Sequence, residues 1–290
     1  MPLSIKPHIS YLDKSFKESH TRSYFMAMQL NLYGFSFAVF HPEKEKLLSF
    51  QSFNFDEKKS IIDIPMIFDL VLNKMGWFAY PYQKVIFLMQ NPFYTFVPLP
   101  LLEYDKKNLY LGFNQPFQEN HRIVVDNLKN VGIGNVYYLP NPVAEKVKEF
   151  WPNINICHYT SGLIEGVLNC FKNNLNKNQL FIDVHDENYD ILYFKENKLF
   201  YLNNFSFKSS EDFIYFLLST IEQLKLNPET VQLELMGKIE RSDKNYEMIY
   251  HYIRNSSFIS PNESVRYTFD LDESVHHKFF TLLNTFQCEL

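Results

Sequence analysis

Glycine is scarce in this chain, with 8 in 290 residues. Loops that cradle phosphate through bare backbone depend on glycine, so few such loops are available. Cysteine is scarcer: Cys157, Cys170 and Cys288 are widely spaced and form no CxxC pair. That argues against a disulfide framework and favours a reducing compartment. Positive charge is not in excess. The net charge is −5 and no long basic run occurs, so no electrostatic nucleic-acid surface is expected. Long apolar runs are missing too. The best stretch, residues 85–102, is broken by Gln90, Asn91 and prolines, and the first residues carry no apolar signal core. A cytoplasmic protein without a membrane span is expected. The motifs GxxxxGK[ST], GxSxG and HExxH are absent.

Aromatic residues are plentiful: 29 Phe and 19 Tyr. With 46% hydrophobic and 21% charged residues, a globular chain with a Phe-heavy core follows. Residues 178–207 read as three strands joined by tight polar turns at 185–188 and 195–197. Alternating Leu, Ile, Tyr and Phe bounded by Asp and Asn signals a β-meander. The pattern recurs at 23–55. A shift of 205 − 53 = 152 lays Phe53 on Phe205, Lys46 on Lys198, Phe37 on Tyr189, Val39 on Ile191 and Leu30 on Ile182. An internal duplication results.

Each meander is followed by a helix, at 64–77 and 210–226. Ser209 or Ser210 is placed to cap the second, and Phe213, Phe216, Leu217, Ile221 and Leu224 form its buried stripe. A fourth strand follows at 84–89 and 231–236, then a helix at 142–151 and 244–254. A fifth strand is expected at 155–159 and 265–269, and a last helix at 162–173 and 273–286. Residues 1–20 read as a polar lead-in. Residues 91–140 have no counterpart in the second half and suggest a strand, a short helix and a hairpin. The βββαβαβα order implies mixed sheets with an antiparallel edge and helices on the faces, an α/β fold.

Two tandem βββαβαβα halves resemble the actin-like ATPase superfamily, whose two ribonuclease-H-like domains carry a nucleotide between them. The inserted segment, with TFVPLPLLEYDKK, is similar to the small subdomain of pilus-assembly and cell-division actin-like proteins. More closely, the chain looks like an uncharacterised bacterial family of that fold. The resemblance implies a first domain at 1–175, carrying the 91–140 insertion, and a second at 176–290. It also implies a phosphate loop at the first hairpin of each half, with an Asp-x-Gly pattern. In this sequence Asn31 stands at the Asp position of the first loop, Tyr33 at its Gly position, and Gly34 comes one residue late. In the second loop Asp183 is present and His185 replaces the glycine. The adenosine turn keeps one glycine, Gly237. These five positions, Asn31, Gly34, Asp183, His185 and Gly237, are the degenerate nucleotide-site positions.

The expected function is a non-catalytic scaffold or adaptor that binds a protein partner, with the 91–140 insertion as one candidate surface and self-pairing in the manner of filament-forming relatives as the other. It would have no obligate cofactor, at most weak ATP and Mg, and no metal site. The alternative is an ATP-binding regulator or slow Mg-ATPase using Asp183 and Gly237. A ribonuclease-H-like nuclease would recruit Asp183, Glu234 and Asp270 or Asp272. Against metal chemistry, Asp183 reads as the end of a hairpin near solvent, Asp186 and Asp190 as turn and exposed-strand residues, and Glu234 as a surface residue. His276 and His277 read as helix-surface or C-terminal-turn residues, and Gly132-Ile-Gly134 as a hairpin turn. Cys157 and His158 are strand neighbours pointing to opposite faces, which is poor geometry for a nucleophile and its base.

Overall fold

A computed structural model describes residues 6–171, 178–267, 271 and 274–288. The strands are β1 (Ile9–Leu12), β2 (Phe25–Leu30), β3 (Gly34–His41) and β4 (Lys46–Asn54), followed by helix α1 (Ile64–Lys74) and β5 (Lys84–Met89). The insertion contains β6 (Tyr94–Pro98), α2 (Lys107–Gly112), β7 (His121–Leu128) and β8 (Ile133–Pro140). Then come α3 (Asn141–Phe150), β9 (Asn155–His158) and α4 (Tyr159–Phe171). The second half has β10 (Gln179–Val184), β11 (Asn188–Lys195), β12 (Lys198–Ser206), α5 (Ser210–Gln223), β13 (Gln232–Gly237), α6 (Lys244–Tyr252) and β14 (Asn255–Phe258). Two short helices follow, α7 (Ser274–Lys278) and α8 (Phe280–Asn284).

The described residues divide into two compact units. The first takes those up to 166 together with those in 263–271 and 281–290; the second takes those in 167–262 and 272–280. The sheet of the first unit has the order β1-β4-β3-β2-β5-β9, and that of the second β12-β11-β10-β13-β14. In each, the meander is antiparallel and the last two strands join in parallel. The sheet is thus duplicated, with β1 as an extra edge strand in the first unit. The lead-in does not read as a strand because only four residues pair, on one side.

Register corrects the alignment of the halves. Phe25 pairs with Phe40 and Gln179 with Phe194, so β2 and β3 map onto β10 and β11 at 179 − 25 = 194 − 40 = 154. The third strands map at 198 − 46 = 152, since Lys46 faces His41 and Lys198 faces Lys195. Two extra residues in the β3–β4 turn absorb the difference. A gap-free shift hides this because a change of two preserves strand alternation. Both halves carry a bulge at the same place, Val39/Phe40 and Tyr193/Phe194. As a result Asn31 corresponds to His185, and Asp183 corresponds to Gln29.

The fifth strand of the second half is β14, about ten residues before the 265–269 expected from its Val, Tyr and Phe. Arg266 instead makes an isolated bridge to Lys46, and 268–269 lie outside the described residues. The last helix is broken into α7 and α8, and residue 273 lies outside the described set.

The phenylalanines fill the cores. Phe35, Phe37, Phe53, Phe68, Phe78 and Phe87 are buried in the first unit, on the order of 2 kcal/mol each from area alone. Their rings meet at angles, as in Phe35–Phe68 at 5.1 Å and Phe78–Trp151 at 5.2 Å. In the second unit Tyr189 packs on Phe213 at 4.5 Å and donates its hydroxyl to the Phe213 carbonyl at 2.8 Å. α5 begins as its sequence requires: Ser209 Oγ accepts from the Asp212 N–H at 3.1 Å. The insertion forms its own sheet, β6-β8-β7, around Val97, Leu111, Val136 and Tyr138. No helix among the described residues is long and apolar enough to cross a membrane.

Candidate functional site

The β2–β3 turn closes through the Asn31 N–H, which donates to the Gly34 carbonyl at 3.0 Å. Asn31 Oδ1 accepts from the backbone N–H groups of both Tyr33 and Gly34, each at 2.8 Å. This is an Asx turn, in which an Asn side chain occupies donors otherwise free to face a ligand. Asn31 Nδ2 in turn donates to Gln90 Oε1 at 2.9 Å. The two amides nearest Gly34 are therefore taken from inside the turn. Gly34 has a packing reason to be glycine: a Cβ there would stand 3.0 Å from the Phe53 carbonyl on β4.

The β10–β11 turn repeats the frame with other chemistry. The His185 N–H donates to the Asn188 carbonyl at 2.8 Å, as Asn31 does to Gly34. The Phe207 N–H reaches the Glu187 carbonyl at 3.1 Å, as Phe55 reaches Tyr33 at 2.8 Å. The imidazole turns back onto the strand, with Nε2 2.9 Å from Asp190 Oδ2. Asp190 Oδ1 accepts from Asn204 Nδ2 at 2.9 Å, where the first unit has Ser36 donating to Ser52 at 2.9 Å. Lys238 pairs with Asp186 at 2.6 Å.

Asp183 and Asp190 are 1% and 2% exposed, which corrects their expected placement at a solvent-facing end and on an exposed strand. Both lie on central strands of a sheet covered on both faces, where alternation no longer marks a wet side. Burial alone lowers the pKa of His185. The charge of Asp183, the hydrogen bond the imidazole donates to Asp190 and the charges of Asp190 and Asp186 outweigh it and raise the imidazole above its ordinary 6.5. A histidine held above its unfolded value adds stability that is complete below about 6.5 and is lost as pH rises through the folded value. His185→Gln is expected to flatten that decline, read from urea melts across pH.

Gly237 ends β13 with φ +79°, and a Cβ there would lie 2.1 Å from the Val184 carbonyl and 2.5 Å from Asp183 Oδ1. The register pairs Val184 with Gly237, and the Lys238 N–H donates to the Val184 carbonyl at 2.7 Å. In the second unit Asp183, His185 and Gly237 are thus brought together at the ends of β10 and β13, while Asn31 and Gly34 form the first unit's turn. Of the four acids at the second turn, Asp186 pairs with Lys238 and Asp190 with His185, and Asp183 and Glu187 complete the cluster.

Other expectations resolve differently. Glu234 is half-buried, accepts from Ser257 Oγ at 3.2 Å, and burial pushes its carboxyl up to about 7. Asp270 and Asp272 lie outside the described residues. His276 and His277 lie in the last turn of α7, and they are buried there, not on the helix surface; the His277 ring packs on Phe258 at 4.5 Å, tilted by 48°, and its Nε2 lies 3.0 Å from the Ile239 carbonyl. Among the described residues no group of three or more His, Cys, Asp or Glu is placed to hold a metal ion. A cavity of about 680 Å³ in the second unit is lined by Asn178, Lys225, Asn227 and Gln232 among others, and by none of the five candidate positions.

One polar cluster is missing from the residues singled out in the sequence. Asp126 Oδ2 accepts from the His158 N–H and from Ser161 Oγ, both at 2.7 Å, and Oδ1 accepts from the Tyr137 hydroxyl at 3.2 Å. Asn135 Nδ2 donates to Thr160 Oγ1 and Ser161 Oγ at 3.0 Å. The insertion thereby caps the N-terminus of α4, where a carboxylate suits the helix dipole. Burial nonetheless pushes Asp126 up to about 6, against the Ser161, His158 and Tyr137 hydrogen bonds. The Thr160-Ser161 pair at a strand-to-helix junction is the signal that could have pointed there.

The duplicated sheet, the helices on its faces and the insertion between β5 and α3 define the actin-like ATPase fold. A crystal structure from Bacteroides thetaiotaomicron VPI-5482, a protein with actin-like ATPase fold and unknown function, matches with a TM-score of 0.77 at 21% identity, covering 94% of this chain and 99% of that one. A PilM-PilN type IV pilus biogenesis complex matches with a TM-score of 0.59 at 11% identity, covering 90% and 97%. The chain belongs to the family described as protein of unknown function (DUF3822), whose model matches residues 13–256. No curated protein matches it.

Proposed function

We propose that this protein is a non-catalytic actin-like scaffold or adaptor that binds a protein partner and works in the cytoplasm. The observation that carries this reading is the Asn31 side chain bonded to the Tyr33 and Gly34 amides. A phosphate loop needs those donors free, since an anion is held by backbone N–H groups that converge on it. PilM, in the complex above, is an actin-like neighbour seen with a protein partner, and protein binding is the role assigned here. Cytoplasmic location rests on three cysteines widely spaced in sequence, of which Cys157 and Cys288 are buried.

A thermal-shift titration with millimolar Mg-ATP tests the reading. Ligand that binds only the native state raises Tm by mass action. The expected result is an unchanged Tm and no phosphate release. A saturable rise in Tm that disappears in Asp183→Ala would overturn the reading in favour of a nucleotide-binding regulator.

A further inference from the structure

The two sheets differ in one respect that the duplication makes visible. On the outer edge of β4 the first unit carries β1, paired antiparallel as Ile9–Ser52, Ser10–Gln51, Tyr11–Phe50 and Leu12–Ser49. Three kinds of contact hold it. The Asp13 N–H donates to the Leu48 carbonyl at 2.8 Å. The Tyr11 carbonyl accepts from Ser49 Oγ at 3.1 Å and Gln51 Nε2 at 3.3 Å. Asp13, the residue directly after the strand, pairs with Lys46 at 2.8 Å. That pair is well made: burial alone would raise the Asp13 carboxyl, yet Lys46, Ser15 and Tyr11 hold it well below the usual carboxylate range.

β12 is the counterpart of β4, with the same register to its neighbour and the same bulge. Its outer edge pairs with no strand among the described residues. At the shift of 152, Lys198 stands where Lys46 stands and Asn203 where Gln51 stands. Lys198 is exposed and has no acidic partner among the described residues. Asn203 is exposed; its Oδ1 accepts from the Asn204 N–H at 3.0 Å, an edge donor that an added strand takes over from it, and its Nδ2 is left to donate as Gln51 Nε2 does. Phe200 is 65% exposed on this edge strand. β12 is nine residues long and has no proline, so it lacks a common safeguard of an open edge.

We propose that the outer edge of β12 binds an extended segment of a partner protein, added antiparallel to the sheet and followed by an acidic residue that pairs with Lys198. The chain's own Ile9-Ser10-Tyr11-Leu12-Asp13 shows the chemistry of the occupant: apolar, polar, aromatic, apolar, then acid. Main-chain bonds give affinity and the terminal charge sets the register. This deepens the adaptor reading by naming a surface and the chemistry of the partner.

The test uses the whole chain and a labelled peptide of its own residues 7–15, PHISYLDKS. Saturable binding is expected. Lys198→Glu, an exposed position that leaves the core intact, is expected to weaken it about tenfold, the worth of one charge-assisted contact. A peptide with Lys in place of its Asp should then bind Lys198→Glu better than the wild type. Methylating the peptide's Asp amide nitrogen, which mirrors the Asp13 bond, should abolish binding. Binding indifferent to Lys198→Glu would mean that the peptide displaces β1 from β4 and would overturn the proposal, as would no binding. Self-association of the chain that Lys198→Glu dissolves would also overturn it, placing a second copy on the edge. Failure here leaves the Mg-ATP result untouched, so the two readings fall separately.

Discussion

Gly237→Ala is expected to destabilise the second unit by more than about 4 kcal/mol, beyond the range of ordinary substitutions. Strain and steric clash add. The backbone at φ +79° is in the left-handed region, where a Cβ costs roughly 1–2 kcal/mol. The clash costs more: the new methyl would lie 2.1 Å from the Val184 carbonyl and 2.6 Å from its nitrogen. Those are backbone atoms of a central strand and cannot rotate away. Relief requires breaking the Lys238–Val184 hydrogen bond and the parallel pairing of β10 with β13. Gly76→Ala is the matched control. A Cβ at Gly76 meets nothing within 4 Å, so its urea midpoint should stay close to that of the wild type. Equal effects of the two substitutions would refute the close approach at Gly237.

The second large effect lies at Asp126. Its carboxyl is pushed up to about 6 by burial, against about 3.9 in an unfolded chain. The folded state therefore binds the proton more tightly. Stability from this group is complete below the unfolded value and is lost as pH rises through the folded one. The expected loss is about 2–3 kcal/mol between pH 4 and 7. Asp126→Asn keeps an acceptor for Ser161 and His158 and removes the charge, so the pH slope should flatten. Asp126→Ala leaves the Ser161 hydroxyl and the His158 N–H unpaired at the start of α4, and about 3 kcal/mol should be lost. Urea melts of the three proteins at pH 4 and pH 7 distinguish these outcomes. If Asp126→Asn showed the wild-type slope, the assignment to Asp126 would fail.

Much of the fold could be read from residue order. Alternation of Phe, Tyr, Ile and Leu placed the two meanders, and β5 runs over 84–89 as expected. Ser209 marked the start of α5. What was not legible depended on distance in space. β1 is four residues in polar surroundings and becomes a strand only because β4 offers an edge. β14 has the sequence Asn-Ser-Ser-Phe, which carries no strand signal of its own and is set by pairing with β13. The two extra residues in the β3–β4 turn were hidden by strand periodicity, so Asp183 was laid on Asn31 when its counterpart is Gln29. At the candidate site, the residue types showed that Asn31 and His185 were unlike a phosphate loop. They did not show that Asn31 folds back onto its own turn, or that His185 reaches Asp190 across a strand. Those contacts depend on side-chain direction, which spacing alone leaves open.

The first turn keeps its backbone donors for itself. Amide-resolved NMR on the Tyr33 and Gly34 N–H groups, with and without millimolar Mg-ATP, tests it most directly. Both amides are expected to exchange slowly with solvent and to hold their chemical shifts as nucleotide is added. Rapid exchange at both, or saturable shifts on titration, would show that the loop is open to phosphate and that Asn31 does not hold its donors.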